Sequence, residues 1–270
     1  MAAHPPNDAE REFPWWLLAA GLLGLWLLAA ILLDPVYSRI LAIVSRGVGV
    51  TVYVTLVAFA LASALGLALA VCVLSGSLVL RQAARFYIEI VRGIPILVLL
   101  FYIAFVGVPA LVAGWNALAA PLGLEPLQTR DVSFLWRAII ALMLGYAAFI
   151  AEVFRAGIQS VDPGQIEAAK ALGLTPWQRF RLVVLPQAVR TILPPLGNDF
   201  IALIKDSALV SVLGVADITQ LGKVYAAGSF RFFETYNVVA FLYLVMTVGL
   251  SLALRGFERR MRRRTPHLEA

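Results

Sequence analysis

Histidine and cysteine are almost absent from this 270-residue sequence, which has two histidines, His4 and His267, and one cysteine, Cys72. Because both histidines lie near the termini, we expect no histidine zinc site and no serine–histidine dyad in the hydrophobic part of the chain. One cysteine in an apolar run excludes a disulfide framework within the chain and favours a small packing residue. No GxxxxGK[ST] motif occurs, so the chain does not hold ATP in a P-loop.

Charge is scarce as well. Charged residues make up 14% of the sequence and hydrophobic residues 61%, with a mean hydropathy of +0.87. Soluble domains average about a quarter charged residues. This composition therefore predicts an integral membrane protein, without a metal site of its own.

The sequence contains six hydrophobic stretches, and together they predict an all-α transmembrane helical bundle with about six spans. The predicted spans are residues 15–33, 50–74, 94–113, 134–158, 189–215 and 235–254. Polar connections are predicted at residues 34–46, 75–86, 114–133 and 222–233. A cleaved signal peptide is the alternative for the first stretch, but its flank lacks net positive charge and its 19 uncharged residues are long for that role. We therefore favour a retained helix at 15–33.

The distribution of lysine and arginine predicts the orientation in the membrane. With six spans, one side holds both termini and residues 75–92 and 152–190 and carries 15 basic residues, against 7 on the other side. The positive-inside rule assigns the richer side to the cytoplasm. This asymmetry accounts for the net charge of +6 without a nucleic-acid partner.

The longest segment between spans with ordered turn chemistry is residues 160–188. Asp162-Pro163 and Thr175-Pro176 are helix starts, each an N-cap side chain followed by proline at the first helical position. Gly173 ends the first helix as a left-handed cap. We expect two short helices joined by a tight turn, the second ending near Leu185-Pro186.

The same segment resembles the EAA loop of ABC-transporter permeases. The matching positions are Glu167-Ala168-Ala169, Gly173, Val183 and Leu185-Pro186, with valine at 183 where the family pattern has isoleucine. Three further motifs resemble the polar amino-acid uptake branch of that family: Arg92-Gly93-Ile94-Pro95, Gly197-Asn198-Asp199 and Lys205-Asp206-Ser207. The resemblance spans about residues 47–260.

The resemblance implies a five-helix importer core at residues 47–257 with a cytoplasmic coupling loop at 160–187. Residues 15–33 are then an extra N-terminal helix, and residues 1–14 and 258–270 are cytoplasmic tails. It also implies a multi-pass protein of the bacterial inner membrane that is not an enzyme and binds no cofactor itself. Its expected partners are two ATPase subunits that hold ATP and magnesium, a second permease, an external amino-acid-binding protein and the amino-acid cargo.

In this reading Glu167, Ala168, Ala169, Gly173, Leu185 and Pro186 contact an ATPase subunit. The alternative is an amphipathic helix pair lying on lipid. A lipid-binding helix carries bulky residues on one face, whereas Ala168, Ala169 and Ala171 make a shallow face beside charged side chains, which suits a protein groove.

Ionisable residues inside the predicted spans are candidates for the transport pathway, because burying charge in lipid is costly. The candidates are Glu152, Asn198, Asp199, Lys205 and Asp206. Pro194-Pro195 predicts an opened helix just before Asp199. Two alternatives stay open: Glu152 pairs with Arg155 at a helix end, and Lys205 with Asp206 forms structural pairs across a subunit interface.

Other classes explain the sequence less well. A secondary transporter driven by an ion gradient commonly shows inverted repeats, and none is evident in the sequence. A membrane-embedded hydrolase needs a nucleophile and a base in the core, and a scaffold protein would not account for the EAA-like spacing.

Overall fold

A computed structural model describes residues 15–263, and within that range the chain forms helices and no strands. The all-α prediction is therefore confirmed. The predicted tail at 1–14 and the end of the predicted tail at 258–270 lie outside the described residues. The helices are α1 (Trp15–Leu33), α2 (Pro35–Val44), α3 (Val48–Leu74), α4 (Leu78–Gly93), α5 (Ile96–Tyr102), α6 (Val108–Ala119), α7 (Phe134–Gln159), α8 (Pro163–Ala171), α9 (Pro176–Arg179), α10 (Leu185–Asp206), α11 (Ile218–Ser229) and α12 (Phe232–Arg263).

Four helical segments of the described chain are long and apolar enough to cross a membrane. They are Pro35–Leu74, Ile96–Leu122, Phe134–Gln159 and Phe232–Phe257. Helix α1 adds an apolar helix of 19 residues. The predicted span at 189–215 is not among the four, because α10 carries four ionisable side chains: Arg190, Asp199, Lys205 and Asp206.

Helix α7 is the centre of the bundle and packs along α3. The buried residues of α3 recur every three or four positions, which places them on one helix face. Contact is close at Gly66, where a Cβ atom would lie 2.9 Å from Ile150 Cγ2 and 3.1 Å from the Ala147 carbonyl oxygen. The glycine thus lets the two helix backbones approach each other.

Three segments predicted as connections are helices instead: α2, α4 and α11. Each begins at a polar N-cap side chain. Asp34 accepts from the Val36 N–H at 2.7 Å, Ser77 from Leu80 at 3.5 Å, and Asp217 from Gln220 at 2.8 Å. Helices α4 and α11 are too short or too polar to be found as spans by hydropathy, whereas α2 forms the start of the candidate span Pro35–Leu74.

Arg137 anchors the start of α7 and is buried, and within residues 15–263 it has no acidic partner. The carbonyl of Ala104 lies in a π-helical stretch (Ile103–Gly107) and receives no backbone hydrogen bond from the next turn. The Val108 N–H donates to the Ile103 carbonyl instead, and Pro109 has no N–H. Arg137 Nη1 donates to this carbonyl at 3.0 Å, and its other nitrogens donate to two carbonyls in the loop before α7. One side chain therefore satisfies a helix defect and ties α7 to the preceding span.

Candidate coupling loop and polar pathway

The connection between α7 and α10 begins with the predicted helix start. The Asp162 side chain accepts from the Gly164 N–H at 2.7 Å, and Pro163 occupies the first turn of α8. The following turn is closed by Gly173, whose φ is +72°. There the Gly173 N–H donates to Lys170 O at 2.9 Å and the Leu174 N–H to Ala169 O at 3.1 Å. This pairing is the Schellman cap that glycine favours.

The second helix starts where predicted but does not end at Leu185-Pro186. Thr175 and Gln178 form a reciprocal capping box, and Pro176 opens α9. The chain then continues through a π-helical stretch (Phe180–Val184) directly into α10, so the prediction of a separate short helix is wrong. Here, as at Pro109, the π-helical stretch ends two residues before a proline. The wider turn accommodates the ring, which a regular helix would press against the preceding carbonyl.

The outward face of the loop differs from the predicted one at a single position. Glu167, Ala168 and Gly173 are exposed, as are Leu185 and Pro186. Ala169 is 2% exposed and points into the loop, so it contributes packing and not contact area. Leu172, which is 80% exposed, contributes to the surface of the loop instead.

A side-chain contact joins the loop to α10, and α10 packs against α7. Gln187 Nε2 in α10 donates to Gln165 Oε1 in α8 at 2.6 Å. A Cβ atom on Gly157 of α7 would lie 2.2 Å from Ile192 Cγ1 of α10, so those helices meet closely below the loop. Helix α8 is therefore linked to α10 by the Gln187–Gln165 hydrogen bond and to α7 through the chain.

No hydrogen bond or ion pair within residues 15–263 joins two of the predicted pathway residues to each other. Asp206 accepts a hydrogen bond from the Tyr146 hydroxyl of α7 at 2.7 Å. Asp199 Oδ2 is buried without a hydrogen-bond partner among the described residues. Asn198 and Lys205 are exposed in this single chain.

Helix α10 itself is not opened at the two prolines. Pro194 and Pro195 lie inside a continuous helix, so the expected break before Asp199 is absent. Proline tolerates the helical φ, and a membrane helix absorbs the missing donors through small local adjustments.

Glu152 stands apart from this group. Its Oε2 pairs with Arg155 Nη2 at 2.6 Å, and the two side chains are 30% and 34% exposed. The pairing agrees with the alternative that Glu152 forms a local ion pair within α7.

Two polar features were missed from the sequence. Tyr146 lies in the uncharged middle of α7, where a lone hydroxyl was the only available signal. Asp217 is fully buried at the start of α11 and accepts from the Tyr243 hydroxyl at 3.1 Å, while Thr51 Oγ1 receives the neighbouring Ile218 N–H. Burial raises the pKa of the Asp217 carboxyl, and the hydrogen bonds that it accepts oppose that rise. Among residues 15–263 no cluster of His, Cys, Asp or Glu could hold a metal ion.

Comparison with known proteins identifies the family. Residues 62–263 match the family described as "Binding-protein-dependent transport system inner membrane component". The probable amino-acid permease protein YxeN of Bacillus subtilis (strain 168) is 39% identical over 212 residues, which cover 78% of this chain and 88% of the relative. The glutamine transport system permease protein GlnP of Escherichia coli (strain K12) is 35% identical over 217 residues, covering 80% and 92%.

A solved structure agrees. The crystal structure of an amino acid ABC transporter with histidines superposes with a TM-score of 0.69 at 36% identity, covering 83% of this chain and 95% of that one. The described helices, their order and the family match converge on one assignment. This chain belongs to the family of binding-protein-dependent transport system membrane components and is a permease subunit of an ABC transporter, a transport component and not an enzyme.

Proposed function

We propose that this chain forms part of an ATP-driven importer of polar amino acids in a bacterial inner membrane. The observation that carries the proposal is the helix-turn-helix between α7 and α10, which is anchored to both helices and exposes a small, charged face. The assembly consists of two permeases, two cytoplasmic ATPase subunits that bind ATP and magnesium, and an external binding protein. Both termini and the coupling loop are cytoplasmic, as the 15 to 7 distribution of basic residues indicates.

The coupling loop transmits the movement of the ATPase subunits. When these subunits close on ATP, they carry α8 with them, and the Gln165–Gln187 hydrogen bond passes the motion to α10. Because α10 and α7 are closely packed at Gly157, they move as a rigid pair and reorient the pathway between them. Glu167 serves as a polar contact to the ATPase surface and has no catalytic role.

The polar residues of α10 line the pathway for the cargo. An amino acid carries an ammonium and a carboxylate, so its path requires acidic groups and donors close together. Asp199 and Asp206 supply the acidic groups, and Asn198 and Lys205 supply donors on the same helix. The names of the relatives, which include amino-acid and glutamine permeases, support an amino-acid cargo.

Cross-linking tests the docking face. In a Cys72→Ser background, a photoreactive maleimide is attached to Ala168→Cys or to its neighbour Ala169→Cys, and the complex with its ATPase is irradiated. Ala168 is exposed and Ala169 is buried, so the first variant should cross-link to the ATPase and the second should not. If neither variant, or both equally, cross-links to the ATPase, the proposed face is wrong.

A charge reversal tests coupling. Glu167→Arg should abolish transport and leave membrane insertion intact. The matched control is Glu125→Arg, an exposed residue on the predicted external side, which should transport normally. Normal transport by Glu167→Arg would contradict its role in coupling.

A further inference from the structure

Helix α4 has three distinct faces. Its inner face packs Ala84 and Ile88 against Val73 of α3 and Ala151 of α7. Tyr87 reinforces this contact, because its hydroxyl donates to the Leu144 carbonyl of α7 at 2.9 Å. Burial raises the pKa of the Tyr87 hydroxyl to about 12, so it stays protonated and able to donate. The helix is therefore attached to the middle of α7, between Leu144 and Ala151.

The second face of α4 is an exposed apolar stripe. Val79, Phe86 and Ile90 are 76%, 72% and 50% exposed, with exposed Ala83 completing the row. Their spacing of four, three and four residues places them on one line about 16 Å long. Nothing in the described part of the chain covers this stripe.

The third face is basic. Arg81, Arg85 and Arg92 lie within a narrow sector of the helix, and the only acid in α4 is Glu89. None of these four side chains forms an ion pair within the described residues. The guanidinium of Arg92 lies 5.6 Å from the centroid of the Phe149 ring, which holds it against α7.

The position of α4 identifies what covers these faces. It joins α3, which belongs to the candidate span Pro35–Leu74, to the candidate span Ile96–Leu122, so it lies where the chain turns at one membrane surface. A helix with bulky apolar residues on one side and arginines on the other is suited to the boundary between headgroups and acyl chains. Arginine binds phosphate oxygens through paired N–H donors.

We propose that α4 lies in the headgroup layer on the coupling-loop side of the membrane and that Arg81, Arg85 and Arg92 bind the phosphates of anionic phospholipids. The stripe from Val79 to Ile90 enters the acyl boundary. Bound headgroups then hold α4, and through Tyr87 they hold the middle of α7, the helix that continues into the coupling loop.

The depth of the stripe tests the proposal without any transport assay. In a Cys72→Ser background, nitroxide labels are placed at Phe86→Cys and Gln82→Cys in the full complex, reconstituted in nanodiscs that contain phosphatidylglycerol. The label at 86 should be accessible to oxygen and shielded from a water-soluble nickel chelate, and the label at 82 should show the reverse. Exclusion of both reagents from position 86 would mean that a protein surface covers the stripe, and access of the nickel chelate would mean that it faces water. Either result overturns the proposal.

Lipid selectivity tests the arginines. The detergent-solubilised complex labelled at position 82 is titrated with short-chain phosphatidylglycerol, with phosphatidylcholine as reference, and label mobility reports binding. Each arginine near an anionic surface contributes about fivefold in affinity, so Arg81→Gln with Arg85→Gln should weaken phosphatidylglycerol binding about 25-fold.

The matched control is Arg39→Gln with Arg46→Gln, which removes the same charge from exposed positions at the other end of Pro35–Leu74 and should leave binding unchanged. Equal responses to the two lipids, or equal effects of the two double variants, would contradict the proposal. Since neither measurement uses transport, the outcome is independent of the proposed importer function.

Discussion

Substitution of Gly173 separates the local geometry of the coupling loop from its docking. Gly173 has a φ of +72°, and a Cβ atom built on it would meet nothing within 4 Å. Alanine therefore adds only backbone strain, about 1–2 kcal/mol for an L-residue in this region. Asparagine tolerates the left-handed conformation better, but it projects a larger side chain outward. Strain alone predicts that alanine is worse than asparagine, whereas docking of a partner surface predicts the opposite order.

The assay is ATP hydrolysis by the reconstituted complex, stimulated by the binding protein and its cargo. Gly173→Ala should lose at most about thirtyfold, since a strain of about 2 kcal/mol corresponds to a factor of about thirty. Gly173→Asn should lose more, and Gly173→Trp should abolish coupling. Gly123 is the matched control, because its φ is +66° and a Cβ atom there also meets nothing within 4 Å. The docking account is refuted if Gly173→Asn and Gly173→Trp are stimulated like the wild type, or if the substitutions at Gly123 have the same effects.

Three further predictions concern the helix bundle. Gly66→Val should lower the free energy of unfolding by about 3 kcal/mol through overpacking. Gly49→Val is the control, because a Cβ atom at Gly49 in the same helix would have nothing within 4 Å, and it should not lower that free energy. Equal unfolding curves for the two variants would contradict the packing. Arg137→Met strips three carbonyls of their donor and should cost about 3 kcal/mol, measured by thermal unfolding against the wild type. A double-mutant cycle of Tyr146→Phe and Asp206→Ala should give a coupling of about 1 kcal/mol, the net contribution of an intramolecular hydrogen bond. Additive effects would exclude the bond.

The coupling loop was largely predictable because its signals are local. Asp162-Pro163, Gly173 and Thr175-Pro176 each fix a cap or a turn within four residues, and the structure has all three. The continuation of the second helix into α10 was not predicted, because a proline normally indicates the end of a helix. The π-helical stretch before Pro186 depends on how the chain relieves the clash between the proline ring and the preceding carbonyl, and no local sequence pattern predicts it.

Amphipathic helices were the main elements of the fold that the sequence did not predict. Hydropathy does not identify α4 as a span, and its arginines led to the prediction of a turn. In the structure Ser77 caps a helix of 16 residues. The face of such a helix that packs inward is decided by its neighbours, here α3 and α7. The three-sided character of α4 therefore appears only in the folded chain.

The polar pathway was predicted by residue type and not by arrangement. Asp199 and Asp206 were recognisable as costly charges in an apolar setting. The partner of Asp206 is Tyr146, sixty residues away on α7, and that pairing depends on how α7 and α10 cross. Glu152 pairs with Arg155 on its own helix, which was one of the two alternatives left open by the sequence.

Uptake into liposomes tests the central claim most directly. The complete complex of this permease, its ATPase and its binding protein is reconstituted, and labelled acidic, basic and neutral amino acids are offered with ATP present or absent on the ATPase side. We predict uptake that requires both ATP and the binding protein and that survives collapse of the ion gradients. Uptake that continues without ATP and stops when an ion gradient is collapsed would contradict the account.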